Sequence, residues 1–102
     1  MTRKERIHEI NPHAIIIDGF DDAIIGISED SCKVIYDLYK MQNIEYERIK
    51  HRQELTFEDA CEYIELNIVN EYYGDFTPIY IWVMPEERDI PEFNYGYGKG
   101  DK

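Results

Sequence analysis

Residues 53–87 of this 102-residue chain contain neither lysine nor arginine, although the same segment carries nine acidic side chains. The whole chain has 11 basic and 22 acidic residues and a formal net charge of -11. Several of the basic residues lie just before residue 53, so the sign of the charge changes there. A surface this acidic repels nucleic acid and attracts basic partners. We therefore expect no direct binding to nucleic acid.

Cysteine and long apolar runs are also scarce. The only two cysteines, Cys32 and Cys61, are too few for a disulfide framework, and their spacing fits no zinc motif. The first 13 residues lack the apolar centre of a signal peptide, and no run approaches the roughly 20 apolar residues that span a bilayer. These absences predict a cytoplasmic protein without a membrane contact, a metal or a cofactor.

The hydrophobic pattern that is present predicts one small α+β domain over residues 1–84. The predicted order is strand, strand, strand, helix, helix, strand. The segments are, in that order, residues 14–17, 23–27, 33–36, 38–52, 56–73 and 79–83. Because short connections favour antiparallel pairing, we expect an antiparallel sheet of about four strands with the two helices on one face. Residues 85–102 are expected to form a flexible tail, because proline and glycine recur there.

Local signals refine these segments. Gly26 indicates a bulge in the second strand, and Glu45 falls on the apolar side of the first helix. Thr56 followed three residues later by Asp59 is typical of a capping box at the start of the second helix. Gly74 stands where a glycine would end that helix. Residues 1–11 suggest no more than a loose helical turn.

Alternation along the last strand gives that strand two faces. One face carries Ile79, Ile81 and Val83, and the other carries Tyr80, Trp82 and Met84. Two helices can cover one side of a small sheet, so the second side is expected to present aromatic residues. Such an open sheet face could join two copies of the chain into a homodimer, or it could be covered by the chain's own termini.

Two groups of residues invite a catalytic interpretation. Asp18, Asp21 and Asp22 could hold a divalent cation, but turns favour Asp for backbone reasons, and we prefer that explanation. A cysteine paired with a histidine could act as a nucleophile, but no motif accompanies any such pair, and Cys61 lies on the apolar stripe. We therefore predict a non-enzymatic protein.

The most specific feature is the exposed side of the second helix. Glu58, Glu62 and Glu65 recur there at helical spacing, so their carboxylates lie roughly 5–6 Å apart, which resembles the phosphate spacing of a nucleic acid. An ordinary solvated helix face is the alternative interpretation. The missing lysines favour a use for the charge, because repulsion between carboxylates one turn apart is left unrelieved.

Three segments resemble a group of small, functionally uncharacterised proteins that bacteriophages encode. They are NPHAIIIDGFDDAIIGI (residues 11–27), VIYD (34–37) and EDACEYIELNIVNEYYGDFTPIYI (58–81). The resemblance covers most of residues 11–81, and it departs at residues 70–71. It implies phage origin, a host-cytoplasmic setting and an accessory role, and it transfers no catalytic residue.

Together these observations predict a non-catalytic phage protein that binds and inhibits a host nucleic-acid-binding or defence protein, for example a CRISPR effector. The partner would offer a basic surface to the acidic one. The predicted partner-binding residues are Glu58, Asp59, Glu62, Glu65, Glu71, Tyr72, Tyr73, Asp75 and Trp82. The alternatives are a small-molecule or nucleotide binder, an oligomeric structural protein and, last, a metal-dependent hydrolase.

Overall fold

The computed structural model describes residues 1–84, so the tail predicted for residues 85–102 lies outside the described residues. The elements are α1 (Arg3–Ile10), a 3₁₀ turn (Asp21–Ala23), β1 (Ile24–Ile27), β2 (Val34–Asp37), α2 (Leu38–Ile49), α3 (Phe57–Ile64), a π-helical segment (Glu65–Val69) and β3 (Ile79–Ile81). These elements confirm the α+β class. The N-terminal turn is a full helix, α1, because a Thr2–Glu5 capping box starts it.

The sheet has three strands in the order β1-β2-β3, rather than the four antiparallel strands expected. β1 and β2 form an antiparallel pair, and a register shift between Ile24 and Gly26 marks the predicted bulge. β2 and β3 are parallel, so the prediction of a wholly antiparallel sheet is wrong. The two helices that separate them in sequence allow this, because a helical crossover returns the chain in the same direction.

Residues 14–17 are the strand that the sequence predicts and the structure lacks. This β-branched segment is irregular, and it pairs with no neighbouring strand among the described residues. Its polar groups find other partners: the Ile17 N–H donates to the Tyr36 hydroxyl at 2.7 Å, and the Ala14 carbonyl lies 3.3 Å from His8 Nε2. Side chains therefore take the place of a neighbouring strand as hydrogen-bond partners of the Ile17 N–H and the Ala14 carbonyl.

The helices largely follow the predicted bounds. α2 ends at Ile49, a few residues early, and α3 begins after Thr56 as predicted. α3 continues into the π-helical segment, which ends at Val69 with Asn70 as its C-cap. Gly74 has a φ of +105° but lies beyond that end, so its predicted role as the helix cap is wrong.

The core lies between the helices and one side of the sheet. Its most buried large side chains are Val34, Tyr36, Met41 and Ile64. The Tyr36 ring stacks on the Tyr80 ring with the centroids 6.0 Å apart. Tyr80 therefore packs towards the core, and the prediction that it points to an open face is wrong. The parallel register, which sets Tyr80 beside Tyr36, explains the difference.

Arg48 of α2 holds the loop before β1. Its guanidinium donates to the Gly19 carbonyl and to the buried Glu45 carboxylate at 3.1 Å, and it lies 4.5 Å from the centre of the Phe20 ring. Gly19 has a φ of +88°, and a Cβ there would collide with Arg48. The burial of Glu45 confirms its predicted place on the apolar side of α2.

Candidate functional site

The acidic side chains of α3 lie on a helix whose N-terminus is closed by a capping box. The Asp59 N–H donates to the Thr56 hydroxyl at 3.3 Å, and the Thr56 N–H donates to an Asp59 carboxylate oxygen at 2.7 Å. At the same end, the Phe57 ring packs edge-on against Tyr39 and Tyr46 of α2. Asp59 is thus engaged in a reciprocal cap and is half-buried, which makes it a positioning residue for this surface.

The other predicted carboxylates face away from the core. Glu58, Glu62 and Glu65 are exposed, whereas Ala60, Ile64 and Ile68 of the same helix are buried. Glu71 and Asp75 are also exposed, in the segment that follows the helix. The structure therefore places five of the predicted acidic residues in solvent on one continuous stretch of chain.

None of these five carboxylates has an ion-pair partner within residues 1–84. The pairs found there are Arg3–Asp22, Lys4–Asp21, Arg6–Glu9, Arg48–Glu45 and Lys50–Glu47. Two of the basic residues that precede the acidic segment, Arg48 and Lys50, thus pair with glutamates of α2, and Lys50 Nζ lies 2.7 Å from the Glu47 carboxylate. Within the described part of the chain, no basic side chain therefore forms an ion pair with the acidic surface.

Apolar side chains stand among the carboxylates, which the sequence reasoning missed. Tyr63 is 47% exposed and Leu66 is 57% exposed. The signal was available, since both residues lie off the apolar stripe of an otherwise amphipathic helix. An apolar centre with a charged rim is the usual anatomy of a protein-binding surface.

Two predicted tyrosines extend this patch beyond the helix. Tyr72 is 77% exposed, and the Tyr73 N–H donates to the Thr77 hydroxyl at 2.9 Å. Partial burial raises the pKa of Tyr73, with smaller contributions from the Glu71 carboxylate and the Tyr63 hydroxyl. Tyr63, Glu71 and Tyr73 are all exposed. We call the surface formed by Glu58, Glu62, Tyr63, Glu65, Leu66, Glu71, Tyr72, Tyr73 and Asp75 the acidic patch.

Trp82 lies on a different element. It follows β3 and is exposed, as are its neighbours Ile81, Val83 and Met84. Ile81 ends β3 opposite Asp37, the last residue of β2, and residues 82–84 run past that end. β2 stops there because the chain turns from strand to helix directly after Asp37, whose carboxylate caps α2. A depression beside them is lined by Asp37 and Tyr39. We call the Ile81–Met84 run the apolar overhang.

The two catalytic interpretations gain no support from the geometry. Asp21 and Asp22 pair with Lys4 and Arg3, and residues 1–84 contain no group of three His, Cys, Asp or Glu side chains placed to hold a metal ion. Burial, and then the neighbouring Glu58 carboxylate, raise the pKa of the Cys61 thiol. A raised pKa lowers the thiolate fraction on which nucleophilic attack depends.

Comparison with known proteins adds no assignment. The sequence matches no protein-family model, and no curated protein or solved structure shows significant similarity. Among residues 1–84, no helix combines the length and the apolar character needed to cross a bilayer. The phage resemblance of the 11–27 and 58–81 segments therefore stays an expectation.

Proposed function

We propose that the chain is a non-catalytic binding protein whose acidic patch occupies the basic, nucleic-acid-binding surface of another protein. The observation that carries this proposal is the row Glu58, Glu62 and Glu65, which is exposed on one helix and unpaired within residues 1–84. The three carboxylates present negative charge at roughly the spacing of helical turns. The Lys and Arg side chains that line the nucleic-acid-binding groove of a partner protein can pair with them.

The apolar part of the patch supports a protein as the partner. Carboxylates alone supply steering and salt-dependent attraction, whereas buried aromatic contacts supply most of the affinity in protein interfaces. Leu66 and Tyr72 are exposed next to the carboxylates and can be buried on contact. In this proposal the negative charge selects a partner with a basic surface. The aromatic and aliphatic side chains of the patch then provide the buried contacts with that partner.

The biological setting of the proposal follows the phage resemblance. A phage accessory protein in the host cytoplasm would meet nucleic-acid-binding defence proteins, and a CRISPR effector is one such protein. Inhibition then needs no chemistry, because occupying the basic groove excludes the nucleic acid.

The test compares three immobilised baits: the parent chain, a Glu58→Lys/Glu62→Lys/Glu65→Lys variant and a Glu9→Lys/Glu29→Lys/Asp30→Lys control. Both variants change the net charge equally, and only the first alters the acidic patch. Proteins captured from a bacterial lysate are eluted with a salt gradient and, separately, with duplex DNA. We expect the parent and the control to retain basic proteins that both salt and DNA release, and the patch variant to lose them.

Two results would contradict the proposal. One is capture of the same proteins by the patch variant, with its fold verified by circular dichroism. The other is binding that neither salt nor DNA weakens. Either would leave the row of carboxylates as an ordinary solvated helix face.

A second candidate function is self-association. The apolar overhang favours it, because Trp82 and Met84 are each more than half exposed and contiguous apolar surface is often a contact surface. In this case the chain would be an oligomeric protein, and the acidic patch would keep the oligomers soluble.

A further inference from the structure

A groove of about 340 Å³ lies between α1 and β1, and it shares no lining residue with the acidic patch. Its walls are apolar and come from the two elements in nearly equal measure. The isoleucines that line it are Ile7, Ile10, Ile24, Ile25 and Ile27. The volume lies at the lower end of the roughly 300–1,000 Å³ range of small-molecule sites.

Local structure explains why the groove stays open. Ile7 and Ile10 are three residues apart, so α1 turns both towards the same side, and Ile7 is buried while Ile10 is 48% exposed. Across the groove, the bulge between Ile24 and Gly26 leaves Ile25 outside the regular ladder and 49% exposed. Two half-exposed isoleucines thus belong to opposite walls of one groove.

The charge on this groove is opposite to that of the molecule. Arg3 and Arg6 line it, and none of its lining residues is acidic, in a chain of net charge -11. The carboxylate partner of each guanidinium is a loose surface one: Arg3 lies 3.8 Å from Asp22, and Arg6 lies 3.4 Å from Glu9. Arg3 also donates a hydrogen bond to the Asp21 carbonyl. Exposed pairs of this kind contribute little, so the guanidiniums can turn to another carboxylate at small cost.

We propose that this groove binds a small apolar monocarboxylate, such as a medium-chain fatty acid. The hydrocarbon chain lies between the isoleucines of α1 and β1, and the carboxylate accepts hydrogen bonds from Arg3 and Arg6. Arginine suits this role because its planar guanidinium matches a carboxylate with two parallel hydrogen bonds. The proposal is independent of the acidic patch, which uses other residues and the opposite charge.

The first test is isothermal titration calorimetry of the full chain with decanoate, decanol and acetate, below the micelle-forming concentration. We expect one decanoate per chain and an affinity about fivefold higher than that of decanol, the gain typical of a partly exposed charge pair. Acetate is expected to show no measurable binding, because it lacks the chain that the isoleucines bury.

Variants separate the two halves of the site. Arg3→Gln/Arg6→Gln should lower the decanoate affinity to that of decanol, and the charge-matched control Lys50→Gln/Arg52→Gln should leave it unchanged. Because Arg3 also donates to the Asp21 carbonyl at 3.2 Å, its loss could loosen α1. Ile10→Gln avoids this problem, since Ile10 is half-exposed, and it should weaken decanoate and decanol equally.

The proposal is overturned if decanoate and decanol bind alike to the parent chain, or if the Arg3/Arg6 variant discriminates between them as the parent does. Chemical-shift changes centred on the apolar overhang, instead of residues 2–10 and 24–27, would also overturn it. The Glu58→Lys/Glu62→Lys/Glu65→Lys variant should bind decanoate normally, so failure of the proposed function and failure of this site are separable.

Discussion

Tyr36 shows how one hydroxyl group sets the path of a segment. It is fully buried at the centre of β2, and its oxygen accepts a hydrogen bond from the Ile17 N–H. Residues 14–17 have the composition of a strand, yet this contact draws them over the core as an irregular segment. Composition indicates only that a backbone can be extended. Which group accepts the hydrogen bonds of that backbone depends on the tertiary structure.

The same residue yields a pH prediction. Burial raises the pKa of Tyr36 to about 12, with an opposing contribution from its hydrogen bond to Ile17, and burial also raises the pKa of Tyr80. Below pH 10 both phenols are neutral in the folded and unfolded chain, so their contribution to stability is intact. Between about pH 10 and about pH 12 the unfolded chain loses the Tyr36 proton first, and the stability falls as the pH rises.

The variant Tyr36→Phe tests this assignment by urea unfolding at a series of pH values. At pH 7 it should cost about 1–2 kcal/mol, because the Ile17 N–H loses its acceptor. Above pH 10 its stability should fall less steeply than that of the parent, so the two curves converge. Parallel curves would show that Tyr36 does not titrate in the unfolding transition.

At the scale of elements, α3 depends on its cap. The capping box that the sequence predicts is present, and replacing a Thr cap by Ala typically costs about 1 kcal/mol. We expect Thr56→Ala to lower the free energy of unfolding by about that amount. Thr2→Ala, which removes the equivalent box from the peripheral α1, is the matched control and should cost less in chemical denaturation.

The outcome of that comparison has a direct meaning for the site. α3 supports the acidic patch, and two of its residues, Ala60 and Ile64, are buried. In α1 only Ile7 is buried. Equal costs for the two threonine variants would contradict this ranking of the two helices.

Local signals were enough to predict most elements, and non-local pairing was not predictable from them. The bulge at Gly26, the start of α3 and the burial of Glu45 each depend on residues a few positions apart. The parallel pairing of β2 with β3 depends on how two helices pack between them, and that error also reversed the predicted facing of Tyr80. In the acidic patch, the exposure of Glu58, Glu62 and Glu65 followed from helical spacing, whereas Tyr63 and Leu66 were missed although both lie off the apolar stripe.

The π-helical segment is a further limit of pattern reading. The Asn70 N–H donates to the Glu65 carbonyl at 3.1 Å, five residues back, which widens the last turn of the helix. A regular 3.6-residue period no longer applies through this segment. The composition of Glu65–Val69 shows no feature that distinguishes it from α-helix.

For the whole molecule, net charge and exposed apolar surface have opposite effects on self-association. Two copies that each carry a net charge of -11 repel, whereas the apolar overhang of each copy gains by being buried. Salt weakens the repulsion and leaves the apolar contact intact. We expect light scattering to report a monomer at low salt and an increasing mass at high salt and high concentration.

The variant Trp82→Ala/Met84→Ala should remain monomeric under the same conditions, because it removes the largest apolar side chains of the overhang. It should still fold, because both side chains are exposed and neither belongs to the core. Tyr72→Ala, which removes an exposed tyrosine from the acidic patch, is the control and should self-associate like the parent. An increase in mass that Trp82→Ala/Met84→Ala does not prevent would assign self-association to another surface.

The parallel pairing of β2 with β3 also has a consequence for the order of folding. β1 and β2 pair across a short turn and the helices depend on local contacts, whereas Ile79 pairs with Ile35 across the stretch of chain that contains α2 and α3. Closing so long a stretch of chain costs entropy before its few ladder hydrogen bonds compensate. We therefore expect β3 to be the last strand to join during folding and the first to leave when the native state opens, and the apolar overhang to move with it.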